Sequence, residues 1–226
     1  MVRQVIVSPA KPDYSLEQPF CSKGAVIGVD EAGRGPWAGP VTATAFWINP
    51  ERRDKLPQTL TDSKKLSALK REQIRQELCA ADNGHLWAIR HSSVSEIDRV
   101  GILQATFLAM ADSVYALSNL LLERQSLKLS MVLVDGNLRP PLDVDCQAVI
   151  RGDSRSLSIA AASILAKQAR DEIMQGLAAT YPDYGWQTNA GYGTKGHQIA
   201  LKQFGVTIHH RKSFTPIKNM LKTSAR

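Results

Sequence analysis

Asp30, Glu31, Asp135 and Asp153 are the residues whose types and settings could do chemistry. Asp30 closes the apolar run Ala25 to Asp30, with Glu31 directly after it. Asp135 closes a second run, Met131 to Asp135, and Asp153 lies in Arg151-Gly152-Asp153, just ahead of an alanine-rich stretch. An aspartate at a strand end is usually no more than a turn former, so no one of these acids carries the argument alone. Brought together, they would repel one another unless cations neutralised them. Their hard oxygens suit Mg²⁺ or Mn²⁺. Two such ions, roughly 3.5–4 Å apart, can activate a water and stabilise the leaving oxygen of a phosphodiester. The chemistry implied is metal-dependent cleavage of phosphodiester bonds in nucleic acid.

The composition agrees with that partner. The 226 residues carry a formal net charge of +7, which favours polyanions, nucleic acid or an anionic membrane. Part of the excess is local, because His209 to Arg226 contains no acidic residue. Cys21, Cys79 and Cys146 are far apart and form no C-x-x-C pair. That argues against a zinc site and fits a reducing compartment. No uninterrupted apolar run reaches the roughly 18 residues of a membrane span. The short run Val5 to Val7 is too brief for a signal-peptide core. A monomeric cytoplasmic protein without a membrane partner is expected.

The acids need elements to hold them. Ala25 to Asp30 reads as a buried strand and Val41 to Ile48 as a second, and the short glycine-rich turn between them suggests an antiparallel hairpin. Ser67 could cap a helix running to about Ala80. His85 to Val94 reads as a third strand. Ser95 with Asp98 resembles a capping box opening a long amphipathic helix through Leu117. Met131 to Asp135 and Cys146 to Ile150 are further strands, and Ser156 to about Ala179 is a helix with small residues for close packing. Shorter helices cover Thr194 to Phe204 and Pro216 to Leu221. Residues 1–22, with three prolines and no period, read as a loosely ordered arm, and 23–226 as one domain. The order predicts an α/β fold with a mixed sheet and helices on both faces. If the strands ending in Asp30 and Asp135 are parallel neighbours, their acids converge.

Six ordered blocks carry a resemblance. They are VDEAGRGPWAGPV from Val29, TDSKKLS from Thr61, LVDGN from Leu133, RGDSRSLSIAAASILAKQARD from Arg151, GYGTKGH from Gly191 and HHRKSFTP from His209. Over about residues 25 to 218 the chain closely resembles bacterial ribonuclease HII. The resemblance implies an RNase H-like mixed β-sheet flanked by helices, with a small C-terminal helical extension. It also implies an endonuclease for RNA–DNA hybrids and ribonucleotide-containing duplex DNA. Such an enzyme cuts on the 5′ side of a ribonucleotide and leaves 3′-hydroxyl and 5′-phosphate ends.

Carried over by motif, Asp30, Glu31 and Asp135 are metal ligands and Asp153 the fourth. Asp171 competes for the fourth place, but a continuous helix from Ser156 would put it about 20 Å from the helix start. Gly33, Arg34 and Gly35 match the ribonucleotide-sensing turn, where glycines let the backbone approach the sugar. Tyr192 matches the tyrosine that packs on the sugar at the RNA–DNA junction. Lys64, Lys65, Lys167 and Arg211 are candidate phosphate contacts. His197 and His210 are assigned packing or capping roles. Arg151 and Ala190 stand where the family usually has lysine, and Trp37 where it has a smaller apolar residue. A catalytically silent hybrid-binding module and an RNase H-fold DNA nuclease are the competing readings.

Overall fold

The structure, a computed structural model, describes residues 11–63 and 66–224. Lys64 and Lys65, with the first ten residues, lie outside them. Strands β1 (Ala25–Ala32) and β2 (Val41–Trp47) form the expected antiparallel hairpin, with Asp30 opposite Thr44. Strand β3 (Leu86–Ser92) continues antiparallel beyond β2. On the other side β4 (Leu129–Asp135) lies parallel to β1, and β5 (Cys146–Val149) parallel to β4. The order is β3-β2-β1-β4-β5, so β1 is central. That explains its unbroken burial from Ala25 to Asp30, since a strand covered on both faces needs no polar alternation.

Alternate residues of the sheet face two different helices. Ile27, Val29, Ala43 and Ala45 pack beneath helix α3 (Ile102–Gln125), which buries Met110, Val114, Leu117 and Leu121. By length and hydropathy α3 could cross a bilayer, yet those side chains are spent on the sheet. Phe46 and Val26 face helix α4 (Leu157–Thr180) on the opposite side. There Gly28 permits direct contact: a Cβ on it would fall on the backbone of Ser158 and Ile159. Ala160, Ala161 and Ala162 are fully buried in the same layer. Gly28→Ala should therefore cost about 2 kcal/mol through overpacking, read by chemical denaturation. Unchanged stability would contradict so close an approach.

Two local expectations need correction. Residues 11–22 are docked, because Glu17 is fully buried. Its Oε1 accepts hydrogen bonds from Ser156 Oγ at 2.6 Å, Ser158 N at 3.0 Å and Ser158 Oγ at 2.7 Å. A carboxylate fixed at the positive end of α4 is favourable, and composition gave no sign of it. The long helix is capped by Ser93, which accepts from Glu96 N, and it breaks at Gly101 into α2 (Val94–Val100) and α3. Asp98 accepts instead from Lys212 N and Ser213 N, tying α2 to the C-terminal segment. Ser67 caps the expected helix, α1 (Ala68–Leu78). The C-terminal extension holds α5 (Trp186–Asn189), α6 (Lys195–Phe204) and α7 (Thr215–Ser224). These pack on Met174 and Ala178 of α4 through Trp186, Leu201 and Ile217.

Candidate active site

In the parallel pair β1–β4, Val29 stands opposite Val134, so Asp30 and Asp135 leave the sheet side by side. Asp30 is buried, and its Oδ1 accepts from Glu31 N at 2.6 Å. Burial, then the negative charges of Glu31 and Asp135, hold its carboxyl well above the usual carboxylate range. A hydrogen bond from Ser163 of α4 opposes that shift. Ser163 Oγ lies 2.8 Å from Ser63 Oγ, so the TDSKK block is linked through α4 to Asp30. Asp135 Oδ1 accepts from Gly152 N at 2.6 Å. Gly152 opens the turn Gly152–Ser154, which carries the buried Asp153. The third acid thus anchors the backbone that delivers the fourth. Asp171, further along α4, pairs with Lys167 Nζ at 2.7 Å and Arg71 at 3.5 Å.

Among the described residues no three acidic, histidine or cysteine side chains are drawn into a ready-made metal cage. The donors nevertheless fit a hard divalent cation. They are all carboxylates, and burial, then the charges of Glu31 and Asp135, raise the pKa of Asp30, a conflict that a cation would relieve.

Beside the acids is a cleft of about 260 Å³ whose walls include Glu31, Gly33, Gly35, Lys167 and Tyr192. Tyr192 is 49% exposed, and a Cβ on Gly35 would lie 3.4 Å from its ring. Lys167 is on the wall but is shared with Asp171. Arg211 does not fit a phosphate contact. It is fully buried, and its guanidinium donates to the carbonyls of Gly33, Arg34, Gly39 and Pro40. Burial, with Arg170 close by, pulls its pKa down to about 9. Arg170, which the motif reading passed over, is also buried and holds the carbonyls of Ala38, Pro40 and Ala190. Its signal was present: with Ser163, Ala166 and Met174 it lies on the buried stripe of α4, where a cation is out of place unless fully hydrogen-bonded. His197 and His210 sit 3.0 Å apart, and Nδ1 of His197 is 2.9 Å from Tyr192 O. Burial lowers both pKa values, that of His210 to about 3.

A mixed five-stranded sheet, helices on both faces and acids at adjacent strand ends define a hydrolase of the RNase H type. The chain is similar to the ribonuclease H2 structure from Pyrococcus horikoshii OT3, with a TM-score of 0.67 and 23% identity over 89% of this chain and 99% of that one. It is similar to Bst-RNase HIII, solved in complex with Mn²⁺, with a TM-score of 0.69 and 17% identity over 88% and 70%. The family model for ribonuclease HII matches residues 27–217. Ribonuclease HII of Paracoccus denitrificans (strain Pd 1222) is 50% identical over 213 residues, 93% of this chain and 95% of the relative. The chain belongs to the ribonuclease HII family, and it is a ribonuclease hydrolase acting on nucleic acid.

Proposed function

We propose that the protein is an endoribonuclease for RNA–DNA hybrids and for single ribonucleotides embedded in duplex DNA. It hydrolyses the phosphodiester on the 5′ side of the ribonucleotide by two-metal-ion catalysis, leaving 3′-hydroxyl and 5′-phosphate ends. Its role is ribonucleotide removal and RNA primer degradation in the cytoplasm, as a monomer. The observation that carries this reading is that one strand, β1, holds Asp30 and Glu31 near its C-terminal end and runs directly into the turn Gly33–Gly35. Acids and candidate ribose reader are thereby held in one frame.

Asp30, Glu31, Asp135 and Asp153 would hold Mg²⁺ or Mn²⁺; the Mn²⁺ complex of Bst-RNase HIII supports this choice of ion. When bound, such ions supply Lewis-acid polarisation of the phosphate and a lowered pKa for the attacking water. The chain does the rest by positioning. Ser163 orients Asp30, and Asp135 holds the Asp153 turn through Gly152. Gly35 and Tyr192 frame the sugar, whose 2′-hydroxyl separates RNA from DNA. Lys64, Lys65, Lys167 and Arg34 supply positive charge for the backbone.

Incubating a duplex bearing one ribonucleotide, and its all-DNA match, with Mg²⁺ or Mn²⁺ tests the reading. Incision 5′ to the ribonucleotide alone is expected. Equal cutting of all-DNA duplex would favour a DNA nuclease, and binding without incision a silent hybrid-binding module.

Proton linkage gives a second check. Asp30 has a raised pKa in the folded state, so the folded protein binds more protons than the unfolded chain. Without metal, stability contributed by this group is present at low pH. It is lost as pH rises from the ordinary carboxylate value through the raised one. Metal binding requires the deprotonated form. Mg²⁺ should therefore raise the melting temperature more at neutral pH than in acid, where the Asp30 carboxyl is protonated. A pH-independent gain would place the ion elsewhere.

A further inference from the structure

The turn Gly33–Pro40 lies outside the sheet ladder, yet it is held from below by two buried arginines. Arg211 donates to Gly33 O at 2.6 Å, Arg34 O at 3.0 Å, Gly39 O at 2.9 Å and Pro40 O at 3.0 Å. Arg170 donates to Ala38, Pro40 and Ala190 carbonyls, each at 3.0 Å. Both guanidiniums are buried, and main-chain oxygens replace the water they have lost.

The direction of those bonds matters. In a trans peptide the C=O and the following N–H point opposite ways. Pulling the carbonyls of Gly33 and Arg34 inward onto Arg211 turns the N–H groups of Arg34 and Gly35 outward, towards the cleft. Arg170 adds a second constraint. It grips the turn at Ala38 and Pro40, and grips Ala190 two residues before Tyr192. Ala190 is held at φ +47°, a left-handed conformation rare for a residue with a Cβ, and Trp37 N bonds Gly191 O at 2.8 Å. The spacing between the amide donors and the tyrosine ring is thus set by Arg170 together with the Trp37–Gly191 backbone bond.

We infer that Arg170 and Arg211 are positioning residues for ribose discrimination: they fix the outward amides of the Gly33–Gly35 turn against Tyr192 without touching substrate. This rests on the ribose-reading role proposed above. The geometry requires a planar fork, so lysine, a point donor, cannot replace either.

The test uses the full-length enzyme with Mg²⁺, comparing wild type with Arg170→Lys and Arg211→Lys. Two quantities are measured: KM for a duplex with one ribonucleotide, and the inhibition constant of the matching all-DNA duplex. Their ratio is the ribose preference. In either variant it should fall by about tenfold, the worth of roughly one well-aligned hydrogen bond, with the all-DNA constant unchanged. Constants that rise together, or a loss of kcat or melting temperature with the ratio kept, would overturn the assignment. If neither variant folds, hydrogen exchange in the wild type decides. The amides of Trp37 and Gly39 should be protected on the order of a hundredfold or more; unprotected amides there would overturn the clamp. A wild-type enzyme with no ribose preference would sink the proposed function itself, which separates the two failures.

Discussion

Asp135→Asn should lower turnover on the order of a thousandfold, the several kcal/mol expected when a metal site loses a charged ligand, while duplex affinity stays within a few-fold. The substitution is selective because of what it keeps. Asn retains an Oδ1 that can accept from Gly152 N, so the turn Gly152–Ser154 and Asp153 stay in place. What disappears is a negative charge. That charge helps to hold the Asp30 carboxyl above its usual range, so Asp30 should shift downward in the variant. A less acidic site also repels phosphate less, and KM has no reason to rise. Steady-state kinetics on a single-ribonucleotide duplex, with binding measured separately, reads both quantities. Full activity would remove Asp135 from the site. Asp135→Ala makes the contrast: it loses the charge and the Gly152 anchor together, so stability should fall in that variant and not in the first.

The sequence showed the chemical groups more clearly than the parts that hold them. Asp30 and Asp135 could be placed because each closes an apolar run, and a parallel pairing of β1 and β4 then brings them side by side. The hairpin, the two covering helices and the Ser67 cap followed from period and capping residues. The supports were harder to read because their partners are remote in sequence. Glu17 reaches Ser156 and Ser158 across about 140 positions, so a segment with no period of its own reads as an arm from sequence alone. By motif resemblance Arg211 is a candidate phosphate contact. Its carbonyl partners, some 170 residues earlier, consume the guanidinium. Ser63 and Ser163, a hundred positions apart, meet at 2.8 Å only in the folded chain, where Ser163 reaches Asp30. Local pattern sets elements and strand ends, whereas the orientation of a catalytic group depends on pairings that only the folded chain creates.

Gly33→Ala should cost about 3 kcal/mol of stability and reduce incision at a single ribonucleotide roughly a hundredfold or more. Two separate costs meet at this position. Gly33 has φ +97°, where a side chain is strained by about 1–2 kcal/mol. An added Cβ would also fall on Nε and Cδ of Arg170. That side chain cannot simply swing away, since its three carbonyl partners pin it. Moving it would strand a buried cation or drag Ala38, Pro40 and Ala190 along, and with them the spacing to Tyr192. Gly35→Ala supplies the control. Its Cβ would meet only the Tyr192 ring, at 3.4 Å, close to ordinary van der Waals contact, and Gly35 has no positive φ among the described residues. Gly35→Ala should therefore fold with near-normal stability while narrowing the space for the sugar, so its defect appears in KM for the ribonucleotide duplex. Denaturation and kinetics on the two variants separate the roles. If Gly33→Ala melts like the wild type, Arg170 is not the fixed support described here. If Gly35→Ala leaves KM unchanged, the sugar does not sit between Gly35 and Tyr192.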